Sequence, residues 1–119
     1  MDPGESQRLP LLHARERFHR AVRGLAVSSA PLKKRVADVF NTDLSDLEPT
    51  DLPSKVGARL RAYREAWEAY GDGPYVDYFG LIALWARGLS WRKAREVARW
   101  IVDADDEIDG LLDEAYADL

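Results

Sequence analysis

Three observations predict an all-α fold, a single-domain bundle of four to five helices with a long C-terminal helix. Apolar residues recur at steps of three and four along most of the 119-residue chain. No segment shows the alternation that a half-buried strand requires. At 46% hydrophobic residues and no cysteine, the chain carries enough apolar mass for one core and no disulfide to take its place.

Leu11, Ala14, Phe18, Ala21 or Val22, and Leu25 set helix one at Pro10 to Ala26, with Pro10 as a first helical residue and residues 1–8 as a flexible lead. Ser29 is placed to cap a second helix that opens on Pro31 and carries Leu32, Val36, Val39 and Phe40 on to Asn41. Residues 42–53 read as a packed connector with one short helical turn, pinned to the core by Leu44, Leu47 and Leu52. Val56, Leu60, Tyr63, Trp67 and Tyr70 then form one helical stripe that stops at Gly71, read as the residue just past the helix end. After a turn at Gly71 to Pro74, Tyr75 to Arg87 is apolar on nearly every side, as expected of a central helix ended by Gly88. Ser90 caps a last helix whose stripe runs from Ala94 to Ala115. Unbroken at Gly110, that helix is about 28 residues, or about 42 Å.

Charge is segregated along the chain. Residues 1–35 carry a net +5, residues 36–54 −5, residues 55–70 +2, residues 71–86 −2, residues 87–99 +4 and residues 100–119 −8. A last helix that is basic first and purely acidic afterwards opposes its own macrodipole at both ends, so local helix stability did not select that order. Either the acidic segment docks a basic partner, or it folds back on the Arg-rich first helix.

Several patterns imitate functional motifs. His13, Glu16 and His19 are spaced by three, but the two histidines lie about 600° apart around the helix and do not converge as a His pair at i and i+4 would. Asp103, Asp105, Glu107 and Glu114 copy the ligand spacing of a calcium loop, with Ile108 where the turn demands glycine. No metal or cofactor site is expected from either. No glycine-rich phosphate loop, no G-x-S-x-G and no serine–histidine pairing is present, so no enzyme activity is predicted. The aromatic residues of the second half, Trp67 and Trp85 among them, read as core. Trp91 and Trp100, nine residues apart and so half a turn out of phase, cannot share one buried stripe. One of them is expected to face outward as an interface anchor.

Ile82 to Arg99, with Ala-Arg-Gly-Leu-Ser between two helices, resembles the first two helices of a helix-turn-helix DNA-binding domain. In that family a third helix enters the major groove, whereas here Asp103 to Glu114 follow, and carboxylates repel phosphates. From Leu32 to Ile108, the Pro-started helix, the Leu44-x-x-Leu47 and Asp51-Leu-Pro53 connector and the Gly-Asp-Gly turn resemble small all-helical bacterial proteins of uncharacterised function. That resemblance implies a shared fold and assigns no site residue.

The function predicted is a non-enzymatic accessory, regulatory or inhibitory subunit that binds the basic surface of a protein partner, or a second copy of itself. Its contact residues are Asp103, Asp106, Asp109 and Asp113, with Trp91 or Trp100 as the apolar anchor. The second reading is a nucleic-acid-associated helical protein, as among phage and defence accessory factors, using Arg15, Arg20, Arg23, Lys33, Lys34 and Arg35. The opening Met1-Asp-Pro-Gly-Glu has no signal-peptide pattern. Tyr78 to Ala86 is too short an apolar stretch to span a bilayer, so a cytoplasmic location and no membrane contact are expected.

Overall fold

The predicted apolar stripes meet in one core. The computed structural model describes residues 3–71 and 78–117, with side chains over residues 8–71 and 80–117. Five α-helices make the bundle: α1 (Pro3–Val27), α2 (Leu32–Val39), α3 (Ser54–Glu68), α4 (Tyr78–Gly88) and α5 (Trp91–Ala117). A π-helical turn (Phe40–Leu44) and a 3-10 turn (Pro49–Asp51) connect α2 to α3. Among the described residues there is no strand, and no helix is long and apolar enough to cross a membrane.

The first helix begins at Pro3 rather than Pro10, so residues 3–8 are helical, and Pro10 lies inside it. Lacking an N–H, Pro10 gives up one backbone bond there. Ser29 does not cap α2: Ser28 Oγ accepts from the Ala30 N–H at 3.2 Å, and Arg35 N–H closes the first turn on the Pro31 carbonyl at 3.0 Å. Beyond Val39 the chain does not continue as an α-helix to Asn41. It widens into the π turn, where Ser45 N–H reaches five residues back to Phe40 at 2.7 Å. In that wider turn Phe40 and Leu44 face the same way, and both are fully buried.

Leu47 and Leu52 are buried beside them, as the connector's spacing predicts. Arg64 of α3 fastens the same segment, its Nη2 donating to the Ser45 carbonyl at 2.9 Å and the Leu47 carbonyl at 2.7 Å. These two carbonyls, facing the bundle with no helical partner, are satisfied by one guanidinium.

In α3, Val56, Leu60 and Trp67 are buried and Tyr63 is half-buried, whereas Tyr70 is exposed because the helix ends at Glu68. Gly71 is not a left-handed end residue. Tyr70 N–H bonds to Trp67 O and Gly71 N–H to Glu68 O, so the last carbonyls are met by tighter turns. The Asp72 to Pro74 part of the predicted turn, the Tyr75 helix start and the side chains of Tyr78 and Phe79 lie outside the described residues. Leu81, Ile82, Trp85 and Ala86 of α4 face the core, but Ala83 is exposed, so α4 is buried along one side rather than all round.

Phe40 is the hub where the elements meet. Its ring packs on Tyr63 and Trp67 of α3, Trp85 of α4 and Trp100 of α5, with centroids 5.4 to 6.3 Å away. Phe18 of α1 also packs on Trp100, edge-on at 5.7 Å.

Ser90 caps α5 as expected, its Oγ accepting from the Lys93 N–H at 3.1 Å, and the helix runs 27 residues through Gly110 without a break. At about 40 Å it accounts for most of the 49 Å length of the molecule. A Cβ at Gly110 would meet nothing within 4 Å. Gly110→Ala is therefore expected to raise stability by about 0.5–1 kcal/mol through the smaller backbone entropy loss alone, seen as a shifted urea midpoint with an unchanged slope.

Candidate functional site

Helix α5 carries the site because its stripe sorts its charges. Ala94, Val97, Ile101, Ala104, Ile108 and Leu112 face the core, and the carboxylates between them are forced to the flanks and the outer side. α5 lies antiparallel on α1: Arg8 stands over the Tyr116 ring at 5.7 Å, Arg15 is 4.0 Å from Asp109, and His19 reaches Asp105 and Asp109.

The acidic segment thus does fold back on the first helix, but only along one flank. Asp109, expected to face a partner, is a correction: its Oδ2 lies 3.0 Å from His19 Nε2 and its Oδ1 faces Arg15. Asp103, Asp106 and Asp113 remain exposed, together with Glu107 and Glu114, and among the described residues none of the five makes an ion pair. Val102 and Leu111, nine residues and so half a turn apart, are exposed at the two edges of this acidic face. The calcium-loop spacing has no loop under it, since residues 103–114 are all helical. Asp118 lies outside the described residues.

The two tryptophans part as their phase requires. Trp100 turns inward, stacked on Phe40 at 6.3 Å with an interplanar angle of 12° and edge-on to Tyr63 at 5.1 Å. It is half-buried against the core, which leaves Trp91 as the tryptophan that faces outward. Trp91 is 56% exposed, with Lys33 Nζ 4.6 Å above its ring. It borders a groove of about 410 Å³ between α2 and α4, where Lys33, Lys34 and Arg87 contribute positive charge.

The six basic residues proposed for nucleic acid do not act as one surface. Arg15 faces Asp109, Arg20 pairs with Glu16 at 2.7 Å and Lys34 with Asp38 at 3.6 Å. Arg35 donates to the Leu25 carbonyl at 2.7 Å, and Lys33 lies over Trp91. Arg23 alone of the six makes no ion pair or hydrogen bond among the described residues. The helix-turn-helix resemblance also stops short, because α5 continues unbroken where a separate third helix would begin.

Asp43, which no sequence pattern singles out, is a buried acid in the π turn. Burial pushes its carboxyl above the ordinary range; Arg17 and Arg20 pull it back, and Asp46 adds to the rise. A carboxyl raised by folding favours the folded state fully while protonated, and that contribution is lost as pH climbs through its raised value. Asp43→Asn is therefore expected to raise the melting temperature at about pH 7 and leave it unchanged at about pH 3, where the acid is already neutral. A loss of stability at neutral pH would show that the two arginines outweigh the burial.

No family model, curated protein or solved structure matches this chain.

Proposed function

We propose that the protein is a non-enzymatic interaction module that receives the basic surface of a protein partner on the outer face of α5. The observation that carries this reading is the ridge of Asp103, Asp106, Glu107, Asp113 and Glu114, exposed and without ion pairs among the described residues, with Val102 exposed along one edge of it and Leu111 along the other. The neighbouring flank neutralises its acids against α1, so the ridge is the part of the segment left with charge to offer. A like-charged ridge on a rigid helix steers an oppositely charged surface during encounter, and the apolar side chain at either edge gives that surface something to bury. Trp91, about 18 Å back along the same helix from Asp103, is the apolar anchor for a partner long enough to reach it.

The test is capture from a lysate of the source cells, with and without nuclease, comparing wild type with the triple variant D103K/D106K/D113K. A partner retained after nuclease, and lost or associating about tenfold more slowly with the variant, is the expected result. Equal capture by both chains would overturn the docking face. Retention of nucleic acid alone would favour the second reading, which the dispersal of the six basic residues disfavours.

A further inference from the structure

The contact between α1 and α5 closes on three groups that the docking reading leaves without a role. Asp105 and Asp109 are one turn apart on α5 and so project to the same side, toward His19 of α1. His19 Nε2 lies 3.1 Å from Oδ1 of Asp105 and 3.0 Å from Oδ2 of Asp109, and one ligand atom of each residue lies within 4.8 Å of the other two.

Two anionic oxygens thus converge on one ring nitrogen. In any protonation state Nε2 carries at most one proton, so it can satisfy one carboxylate and not both. The geometry gives that bond to Asp109, and Oδ1 of Asp105, buried from solvent, receives no hydrogen bond. Asp105 is only 13% exposed, so water cannot readily solvate the shortfall. Burial and the neighbouring Asp109 and Asp106 push the Asp105 carboxyl up, while His19 and Arg15 pull it down. The cluster lacks positive charge at its centre. Arg15, 4.0 Å from the other oxygen of Asp109, stands at the edge where it holds that carboxylate in orientation.

We propose that His19, Asp105 and Asp109 form a binding site for a divalent first-row transition cation of the Zn²⁺ class, with three protein ligands and the remaining position open to water. Zinc bonds to imidazole nitrogen and carboxylate oxygen at about 2.0–2.2 Å, which in a tetrahedral shell sets ligand atoms about 3.4 Å apart. The present separations need only small side-chain rotations to reach that shell. Calcium requires about six to eight oxygens, more than this set supplies, and imidazole favours zinc, nickel or cobalt over magnesium. The side chains of His19 and Asp109 are 47% and 39% exposed, which leaves an ion a path in and water a place to complete the shell. A bound ion ties α1 to α5 across the bundle, as ligands drawn from facing helices do in other helical metal sites. The site is distinct from the docking face: its three groups meet across the contact of α1 with α5, whereas Asp103, Asp106 and Asp113 are exposed and, among the described residues, make no ion pair with α1.

The full chain, purified without a histidine tag and stripped with chelator, is titrated with Zn²⁺ by calorimetry and with Co²⁺ by visible absorption. Expected are one ion per chain, a Co²⁺ spectrum of low coordination number, and a melting temperature raised by about 5 °C at saturating Zn²⁺. His19→Gln and Asp109→Asn, each shown to keep the wild-type helical circular dichroism, are expected to lower affinity at least about tenfold. His13→Gln and Asp103→Asn are expected to leave it unchanged. No binding at about 1 mM Zn²⁺, or binding undiminished in both ligand variants, overturns the proposal. Binding lost only in His13→Gln or in Asp103→Asn overturns it as well, since the ion would then sit on an outer face.

Discussion

Phe40→Ala is expected to cost about 3–5 kcal/mol, a large share of the stability of a domain this size. Phe40 is fully buried at the point where α3, α4 and α5 each contribute an aromatic ring, and four rings lie within 6.3 Å of its centroid. Those rings lose a common partner at once. They are held on three helices, so none can move into the space without drawing its helix from the others. Urea unfolding followed by tryptophan fluorescence reads the loss directly, because Trp67, Trp85 and Trp100 surround the site. Phe40→Leu, which keeps most of the volume, is expected to cost about 1.5 kcal/mol. A cost for alanine no larger than that for leucine would show that the cluster closes over the gap.

Gly57→Ala is the other large effect, and its sign is opposite to that of the same substitution at Gly110. Gly57 lies in the first turn of α3, its N–H bonded to the Pro53 carbonyl at 2.8 Å, with the 3-10 turn pressed against it. A Cβ there would overlap the backbone carbonyl oxygen of Pro49. A flexible side chain could swing aside, whereas a backbone carbonyl next to two prolines moves only with the connector. Alanine is a better helix former than glycine by about 1 kcal/mol, but separating α3 from the turn outweighs that gain and leaves a net loss of about 3 kcal/mol. Thermal unfolding of both variants side by side checks the pair: the Gly110 variant should melt above wild type and the Gly57 variant well below it.

The helices of this protein are legible in its sequence because the steps of Val56, Leu60, Tyr63 and Trp67, or of Ala94 through Leu112, are local and set by helix geometry. The ends are less legible, and Pro10, Ser29 and Gly71 show why. Each residue suits the role its type suggests, yet each role was filled by a neighbour or by a tighter turn. The π turn at Phe40 has no spacing signature, since it differs from an α-helix by a single skipped bond. At the site, the half-turn between Trp91 and Trp100 predicts that they face apart, but which one faces inward depends on where α1 and α3 lie. His19 and the tail carboxylates stand out separately in the sequence. Their meeting, across 86 and 90 residues, is a product of how α5 packs on α1 and is written in no local pattern.

The same antiparallel pairing of α1 with α5 governs the time order of folding. The contacts among α2, the π turn, α3 and α4 join segments near one another in the chain, while the surface that finishes the core is shared by the first and last helices. Closing a loop of about 80 residues carries an entropy cost that is repaid only when the whole interface forms. The final closure is then the slow, non-local step. During synthesis α1 can pack on α2 and the π turn once these have emerged, and only the part of its apolar stripe that meets α5 waits for the last helix. Phe18, whose ring meets Trp100 of α5, belongs to that part and stays without this partner longest.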